Sequence, residues 1–255
     1  MIDFHSHIAP SIDDGSVDVK MSLEMLKESV RCGVTDVLST SHCYPKSNES
    51  IARFLQRRDD ALLLVRQAME NEGMQAPKIH LGCEVNMYMD IAKLKYLPKL
   101  CIENTNYIMI EMPYEPWKEW MLECIYKMTI QGLRPIMAHI DRFIKQDKGA
   151  LNSLFELDVL YQVNTELFTE KHMNKFADML LTEGHAHVIG TDMHNMTTRK
   201  PNMDKTYDKI VKRYGEGCME YFTNNAKKIL NNEAITDLYY KLPEKKSFFD
   251  RVLKK

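Results

Sequence analysis

The regular alternation of short apolar runs with longer amphipathic stretches constrains the fold of this chain more than any other feature. Seven short runs have the composition of buried strands, and they span residues 2–4, 35–39, 78–82, 107–110, 135–138, 160–163 and 187–190. Six stretches with helical spacing span residues 17–32, 50–71, 116–131, 148–156, 169–182 and 203–214. Strands that alternate with helices predict βα units and a parallel sheet. We therefore expect a single α/β domain over residues 1–255 whose sheet is closed, or nearly closed, into a barrel.

Charge and cysteine usage exclude several classes of protein. The net charge of -2 supplies no field for a polyanion, so we expect no nucleic-acid partner. The chain shows neither a secretory leader nor an apolar run of membrane-spanning length, so we expect a cytoplasmic protein. The six cysteines include no C-x-x-C pair. Reduced, buried thiols are therefore expected, rather than a zinc knuckle or a thioredoxin-like motif.

Six of the seven predicted strands are followed by a histidine, aspartate or glutamate. These residues are His5 and His7 after the first strand, His42 after the second, Glu84 after the third, Glu111 after the fourth, His139 after the fifth, and Asp192 and His194 after the seventh. Because the carboxyl ends of barrel strands converge on one face, these side chains are expected to meet. A lone histidine is more often a core or surface residue than a ligand. Several ionisable groups at corresponding strand ends, however, are costly to bury unless they are paired or bind a metal.

The residue types narrow the metal and the reaction. Imidazoles and carboxylates without an obligatory thiolate suit Mn, Fe or Zn rather than a structural zinc site. The candidate ligands exceed what one tetrahedral ion needs, so we expect two or three ions, bridged by a carboxylate such as Glu84. Such a cluster clamps a phosphoryl group and lowers the pKa of water toward neutrality. The expected reaction is hydrolysis.

The motifs together resemble a known superfamily. They are H-x-H at 5 and 7, "DDG" at 13–15, His42, Glu84, "MIEMP" around Glu111, "AHIDR" at 138–142 and "DMHN" at 192–195. This set resembles the polymerase and histidinol phosphatase (PHP) superfamily, and most of all its bacterial branch of manganese-dependent protein-tyrosine phosphatases, the capsule and exopolysaccharide regulators. The similarity extends from Ile2 to about Leu230. It implies a distorted, TIM-like (β/α)7 barrel with three metal ions at the C-terminal ends of the strands.

The resemblance also implies roles for individual residues. It gives His5, His7, Glu84 and Asp192 to one ion, Glu84, Glu111 and His139 to a second, and His42 and His194 to the remaining one. Arg142 and Arg199 match arginines that bind phosphate oxygens, for which a planar guanidinium is well suited. A surface-loop position is the alternative for Arg199. Asp14 would act as a base or late proton donor, although a cap of the following helix explains it equally well.

The implied cofactor is Mn²⁺, with Fe or Zn as alternatives, and the implied substrate is phosphotyrosine on a membrane-associated tyrosine kinase that controls polysaccharide export. This chain departs from the family pattern at Ile140 and Asp141, where Pro and Glu are common, and at Cys43, where a second His is common. Phosphatases that act on tyrosine can instead use a cysteine nucleophile, with an arginine six residues after it. None of the six cysteines has an arginine at that position, so a cysteine-based mechanism is disfavoured.

Two other interpretations of the function stay open at the level of sequence. The chain could be a small-molecule phosphatase such as histidinol phosphatase, on the same scaffold. It could also be an inactive metal-binding module that docks on a kinase, although its set of candidate ligands is complete.

The last eleven residues, 245–255, form a basic tail that also contains apolar residues. A terminal packed helix is favoured there over a docking segment for an acidic partner or a membrane surface.

Overall fold

The computed structural model describes residues 1–243, so the basic tail at 245–255 lies outside the described residues. The strands are β1 (Ile2–Ser6), β2 (Asp36–Ser39), β3 (His42–Cys43), β4 (Lys78–Leu81), β5 (Glu84–Asn86), β6 (Tyr107–Glu111), β7 (Arg134–Met137), β8 (Leu160–Asn164) and β9 (Val188–Gly190). The helices are α1 (Val19–Arg31), α2 (Asn48–Asn71), α3 (Glu119–Ile130), α4 (Lys148–Phe155), α5 (Glu166–Thr169), α6 (Asn174–Thr182), α7 (Met203–Tyr214) and α8 (Glu216–Leu230). Within these residues no helix is both long and apolar enough to cross a membrane.

The strands form two curled sheets in which every pairing is parallel. One sheet has the order β1-β2-β4 and the other the order β3-β5-β6-β7-β8-β9. The seam between β1 and β9 is closed by backbone hydrogen bonds: His7 N–H donates to Met193 O at 2.9 Å, and Asp192 N–H donates to His5 O at 2.8 Å. The α/β barrel-like architecture predicted from the sequence is confirmed.

Two interruptions explain why nine short strands occupy seven strand positions. The chain leaves β2 after Ser39 and pairs again only at His42, in β3, and it likewise leaves β4 after Leu81 and resumes at Glu84, in β5. These second pieces pair with each other, with His42 opposite Glu84. The sequence analysis predicted His42 and Glu84 just beyond the end of a strand. In the structure each of them is the first residue of a new strand. The interruptions carry these two side chains onto the face where the other strands end.

The helix predictions need two corrections. The helix expected at 169–182 begins only at Asn174, because Glu170 has extended backbone (φ -93°, ψ 113°) and separates it from the short α5. Helix α8 was not predicted at all. It presents Ala226 and Ile229 to the apolar cluster inside the barrel, which also contains Phe4. Helix α8 therefore covers the end of the barrel opposite to the carboxyl ends of the strands.

The start of α1 settles the alternative role of Asp14. The N-cap of α1 is Asp18, whose Oδ1 accepts a hydrogen bond from Met21 N–H at 2.8 Å. Asp14 is not the cap, so the helix-cap explanation for Asp14 is wrong. Asp14 instead lies in the loop between β1 and α1, with a side chain that is 67% exposed.

Gly190, the last residue of β9, marks a close approach of two strands. A Cβ atom on Gly190 would lie 2.4 Å from Cβ of His5 and 2.6 Å from its backbone nitrogen. Real Cβ contacts do not reach such distances, so only glycine allows β9 to lie this close to β1. This approach places His5 next to the residues that follow β9.

Candidate metal centre

Glu84 lies at the middle of a buried group of histidines on the face formed by the carboxyl ends of the strands. Its Oε2 atom is 3.2 Å from Nε2 of His5, 3.4 Å from Nε2 of His7 and 3.1 Å from Nδ1 of His42. Its Oε1 atom is 2.7 Å from Nε2 of His139. One carboxylate therefore contacts imidazoles from β1 and the residue after it, from β3 and from the loop after β7.

His5 and His7 lie on the same side of the chain, as expected for positions two apart in extended backbone. Their Nε2 atoms are 3.2 Å apart. Both nitrogens also face Oδ1 of Asp192, at 3.5 Å and 3.3 Å. The structure thus brings together His5, His7, Glu84 and Asp192, the four residues that the family resemblance gives to one ion.

The remaining predicted ligands lie beside this group. Glu111 Oε2 is 3.4 Å from His42 Nδ1, and Glu111 Oε1 is 3.8 Å from His139 Nε2. On the other side, Asp14 Oδ1 is 3.4 Å from Nε2 of His194 and 3.6 Å from Nε2 of His42. The eight predicted ligands and Asp14 therefore meet on one face of the barrel.

The donor set fits metal ions. Three groups have ligand atoms that all lie within 4.8 Å of one another: His7, Asp14, His42 and His194; His5, His7 and Glu84; and His42, Glu84 and Glu111. Nε2 of His194 is buried without a hydrogen-bond partner in residues 1–243. Two imidazole nitrogens that face each other at 3.2 Å, with carboxylate oxygens beside them, form a geometry that a shared cation would satisfy.

Asp13 and Gln162 orient the candidate ligands, and the sequence reasoning missed both. Asp13 Oδ2 accepts from Nδ1 of His7 at 2.8 Å and from the backbone N–H of His42 at 2.8 Å. Gln162 Oε1 is 3.0 Å from Nδ1 of His5 and accepts from the backbone N–H of His139 at 2.7 Å. A proton on each Nδ1 leaves Nε2 of His5 and His7 with a free lone pair toward the centre. The signal for Asp13 was its place in the "DDG" element.

Arg142 and Arg199 both reach the second oxygen of Asp192. Each guanidinium contacts Asp192 Oδ2, which also accepts from Asn164 Nδ2 at 3.1 Å. The side chains of Arg142 and Arg199 are 29% and 35% exposed. Arg199 lies in a loop, as the alternative had it, and from there its guanidinium contacts Asp192. The two arginines lie at the edge of the centre, where they are accessible to an incoming anion.

The buried charges of the centre stabilise one another. Burial raises the pKa of Glu84, but the imidazoles of His5 and His139 outweigh it. Burial also raises the pKa of Asp192, but the imidazoles of His5 and His7 and the guanidinium of Arg142 outweigh it. Both pKa values therefore fall well below their usual range. Burial lowers the pKa of His5, but the carboxylates of Glu84 and Asp192 outweigh it and the net shift is upward. The carboxylates of this group therefore favour positive charge on the imidazoles around them.

The curled parallel sheet and the convergent imidazoles and carboxylates define the class of protein: an α/β barrel with a candidate metal-binding site at the carboxyl ends of its strands. The chain belongs to the CpsB/CapC family of capsular polysaccharide synthesis, whose model matches residues 1–231. The family branch inferred from the sequence motifs is thereby confirmed.

Curated relatives and a solved structure agree with this membership. The chain is 30% identical over 252 residues to the tyrosine-protein phosphatase CpsB of Streptococcus pneumoniae, with 92% of this chain and 100% of the relative covered. It is 26% identical over 242 residues to the tyrosine-protein phosphatase YwqE of Bacillus subtilis, with 92% and 93% covered. A crystal structure from work on YwqE and CpsB, described as unique metal-dependent tyrosine phosphatases, matches with a TM-score of 0.77 and 25% identity, covering 92% of this chain and 96% of the other.

Proposed function

We propose that this protein is a metal-dependent protein-tyrosine phosphatase. The observation that carries the proposal is Glu84, a fully buried carboxylate whose two oxygens contact four imidazoles. Relatives that cover almost the whole chain are named tyrosine-protein phosphatases, which supports the same activity. The named function of these relatives in turn favours a phosphate ester on tyrosine over other esters.

We assign the candidate ligands to a cluster of two or three ions. His5, His7, Glu84 and Asp192 would hold one ion, and Glu84, Glu111 and His139 a second. Asp14, His42 and His194 would hold the remaining one, because they share one group of close ligand atoms with His7. When bound, such ions supply Lewis acidity and lower the pKa of water.

The chain's own residues bind and orient the phosphate. Arg142 and Arg199 lie at the edge of the centre with N–H groups that reach Asp192 and solvent. A phosphate monoester that enters the centre would take up N–H donors from both guanidiniums. These donors would stabilise the charge that develops on the equatorial oxygens during in-line displacement.

The leaving group requires little help from the protein. A phenol has a pKa of about 10, so the tyrosyl oxygen can leave with weak proton donation. Asp14, which the sequence analysis considered as a base or late proton donor, lies instead within 3.6 Å of two candidate imidazole ligands. We therefore propose that Asp14 serves mainly as a ligand.

The proposal extends to metal, partner and location. Manganese is the proposed ion, with Fe or Zn as alternatives that suit the same donors. The proposed natural substrate is a phosphotyrosine protein, most simply a membrane-associated tyrosine kinase of polysaccharide synthesis, since the family model concerns capsular polysaccharide synthesis. The six cysteines are all free thiols, which fits a reducing compartment such as the cytoplasm.

Metal removal and substrate comparison test the proposal together. The protein is stripped with a chelator, reloaded with Mn²⁺, Fe²⁺ or Zn²⁺, and assayed with a phosphotyrosine peptide and with histidinol phosphate. We expect the stripped protein to be inactive and a reloaded protein to prefer the peptide. Rapid hydrolysis of histidinol phosphate with no hydrolysis of the peptide would show a small-molecule phosphatase. No hydrolysis of either substrate with any metal would favour an inactive docking module.

A further inference from the structure

A cleft with apolar walls and several charged side chains opens beside the metal centre. It has a volume of about 490 Å³. Its walls include the carboxylates of Asp13 and Asp14, the aromatic rings of Tyr44 and Phe54, and the guanidiniums of Arg53 and Arg57. Because Asp14 and His42 line this cleft and also belong to the metal centre, the cleft opens directly onto that centre. A polypeptide whose phosphotyrosine occupies the centre can therefore extend into the cleft.

Two exposed arginines provide the free positive charge of this cleft. Arg53 and Arg57 are one helical turn apart on α2, so their side chains share a face. Arg58, on the buried side of the helix, pairs with Asp59 at 2.8 Å, whereas neither Arg53 nor Arg57 forms an ion pair within residues 1–243. Arg57 donates one Nη2 hydrogen bond to Ser11 O at 3.1 Å and keeps its other donors.

The acidic residues of the cleft are already engaged elsewhere. Asp13 accepts from His7 and from the backbone of His42. Asp14 lies beside the imidazoles of His42 and His194. The two arginines are thus left to interact with a ligand.

The remaining walls of the cleft suit a peptide rather than a free anion. Tyr44 is 52% exposed, and the partly buried side chains of Ile12 and Phe54 add apolar surface next to the arginines. Apolar walls with a few charged groups are typical of sites that bind side chains. The phosphate of the reacting tyrosine has its own arginines, Arg142 and Arg199, at Asp192. Arg53 and Arg57 are therefore available for a different anionic group.

We propose that Arg53 and Arg57 form a specificity subsite for an anionic side chain, carboxylate or phosphate, that lies near the phosphotyrosine in the same polypeptide. This inference rests on the proposed phosphatase function and names a property of its substrates. Each extended residue advances a chain by about 3.3–3.6 Å, so anionic groups two or three residues from the phosphotyrosine are the first to test.

Flanking-residue peptides test the subsite. Phosphotyrosine peptides of one length carry Glu, Gln or Lys at positions two and three on each side, and one further peptide carries a second phosphotyrosine. Each kcat/KM is divided by that of the same enzyme for p-nitrophenyl phosphate, which has no flanking residues and corrects for folding and metal content. We expect the Glu peptide to exceed the Lys peptide about fivefold to tenfold, mainly through KM, because two exposed charge pairs each contribute a modest amount. Comparison of Glu with the second phosphotyrosine identifies which anion the subsite prefers.

Charge reversal separates recognition from a structural role. In the variant R53E/R57E we expect the preference to reverse toward the Lys peptide. The control K205E/K209E makes the same charge change at the same spacing on α7, on two exposed lysines outside the cleft, and should keep the preference for Glu. A wild-type enzyme that hydrolyses all peptides equally, or a preference that R53E/R57E leaves intact, would overturn the subsite while the phosphatase function stands. Hydrolysis of none of the peptides would refute both.

Discussion

The molecule contains two groups of histidines, and the pKa values of His5 in the first group and His187 in the second, both buried, are shifted in opposite directions. In the metal centre, His5 is fully buried and the carboxylates of Glu84 and Asp192 raise its pKa. Away from it, His187 is equally buried, and there burial lowers the pKa to about 3. Burial also lowers the pKa of neighbouring His185 to about 4.

The second group consists of His185, which stacks on an aromatic ring, and His187, whose neutral imidazole accepts a backbone hydrogen bond. His185 stacks on Phe155 with ring centroids 3.7 Å apart and an angle of 6°. Nδ1 of His187 accepts the backbone N–H of Tyr161 at 3.0 Å. Within residues 1–243, neither histidine has a carboxylate within ion-pair distance. For His5 and His187 the comparison teaches that neighbouring carboxylates, rather than burial, decide whether the pKa of a buried imidazole rises or falls.

Removing the central carboxylate should have the largest effect. The substitution Glu84→Gln keeps the shape of the side chain but removes the charge that four imidazoles share. We expect kcat for a phosphotyrosine peptide to fall by more than about 100-fold, since loss of a ligand should exceed the effect of losing an outer hydrogen-bond partner. Metal content measured after dialysis should fall in parallel. Full metal content and activity within tenfold of wild type would contradict the central role of Glu84.

Removing the carboxylate behind His7 should have the next largest effect. In Asp13→Asn the hydrogen bond to Nδ1 of His7 loses its charge, so the ring is held less firmly and its Nε2 becomes a weaker ligand. We expect metal affinity, measured by titration of the stripped protein, to fall about 10- to 100-fold. The same substitution at Asp18, which caps α1, provides a control for general loss of folding. Equal metal affinity in Asp13→Asn and wild type would refute the orienting role.

The second histidine group predicts a dependence of stability on pH. The pKa of His187 is about 3 in the folded protein and about 6.5 when unfolded, so below pH 6.5 only the unfolded state takes up the proton. The free energy of unfolding therefore decreases as pH falls from 6.5, by roughly 2 kcal/mol at pH 5 from this group. Burial raises the pKa of Asp3 to about 6, which acts in the opposite direction.

The variant His187→Asn isolates this contribution. An asparagine oxygen can accept the N–H of Tyr161 but does not titrate, so the loss of stability between pH 7 and pH 5 should shrink by roughly 2 kcal/mol relative to wild type. Asp3 is unchanged in both proteins and cancels in the comparison. Denaturant unfolding of the metal-free proteins at the two pH values measures the difference. An identical loss in both proteins would show that His187 is not the titrating group.

The smallest effect is expected at Cys43, which adjoins the metal centre without belonging to it. Cys43 is buried, and the residue six positions later is Glu49 rather than an arginine. The variant Cys43→Ser should keep kcat within about twofold of wild type after reloading with metal, because the thiol is not the nucleophile. Complete loss of turnover in a folded, metal-loaded Cys43→Ser protein would revive the cysteine mechanism.

Most of the fold could be predicted because it follows from local patterns. The seven strand positions were visible as apolar runs. The two-residue β3 could not be found this way, since it exists only through its pairing with β5. Helix α8 follows α7 after a single residue, Gly215, and contains Gly217 near its start. Glycine is a poor helix former. The contribution of α8 depends on tertiary contacts with the barrel interior.

The candidate site was predictable to the extent that it consists of ionisable residues at strand ends. Parallel strands bring those ends together, so residue type and position were sufficient for His5, Glu84 and the others. The choice between Asp13 and Asp14 as the partner of His7 depends on the conformation of a loop, which adjacent residues in a sequence do not reveal. Gln162 was missed because a neutral amide carries no charge signal.

The close packing of Gly190 against His5 has a consequence for any survey of inactive variants. A random mutagenesis screen that selects for loss of turnover should recover substitutions at Gly190 about as readily as at the histidine, because any added side chain would push β9 away from β1. Such a screen would report a residue without chemistry of its own alongside those that act on the substrate. The positions that do not tolerate substitution would thus include the contact between β1 and β9 as well as the candidate metal ligands.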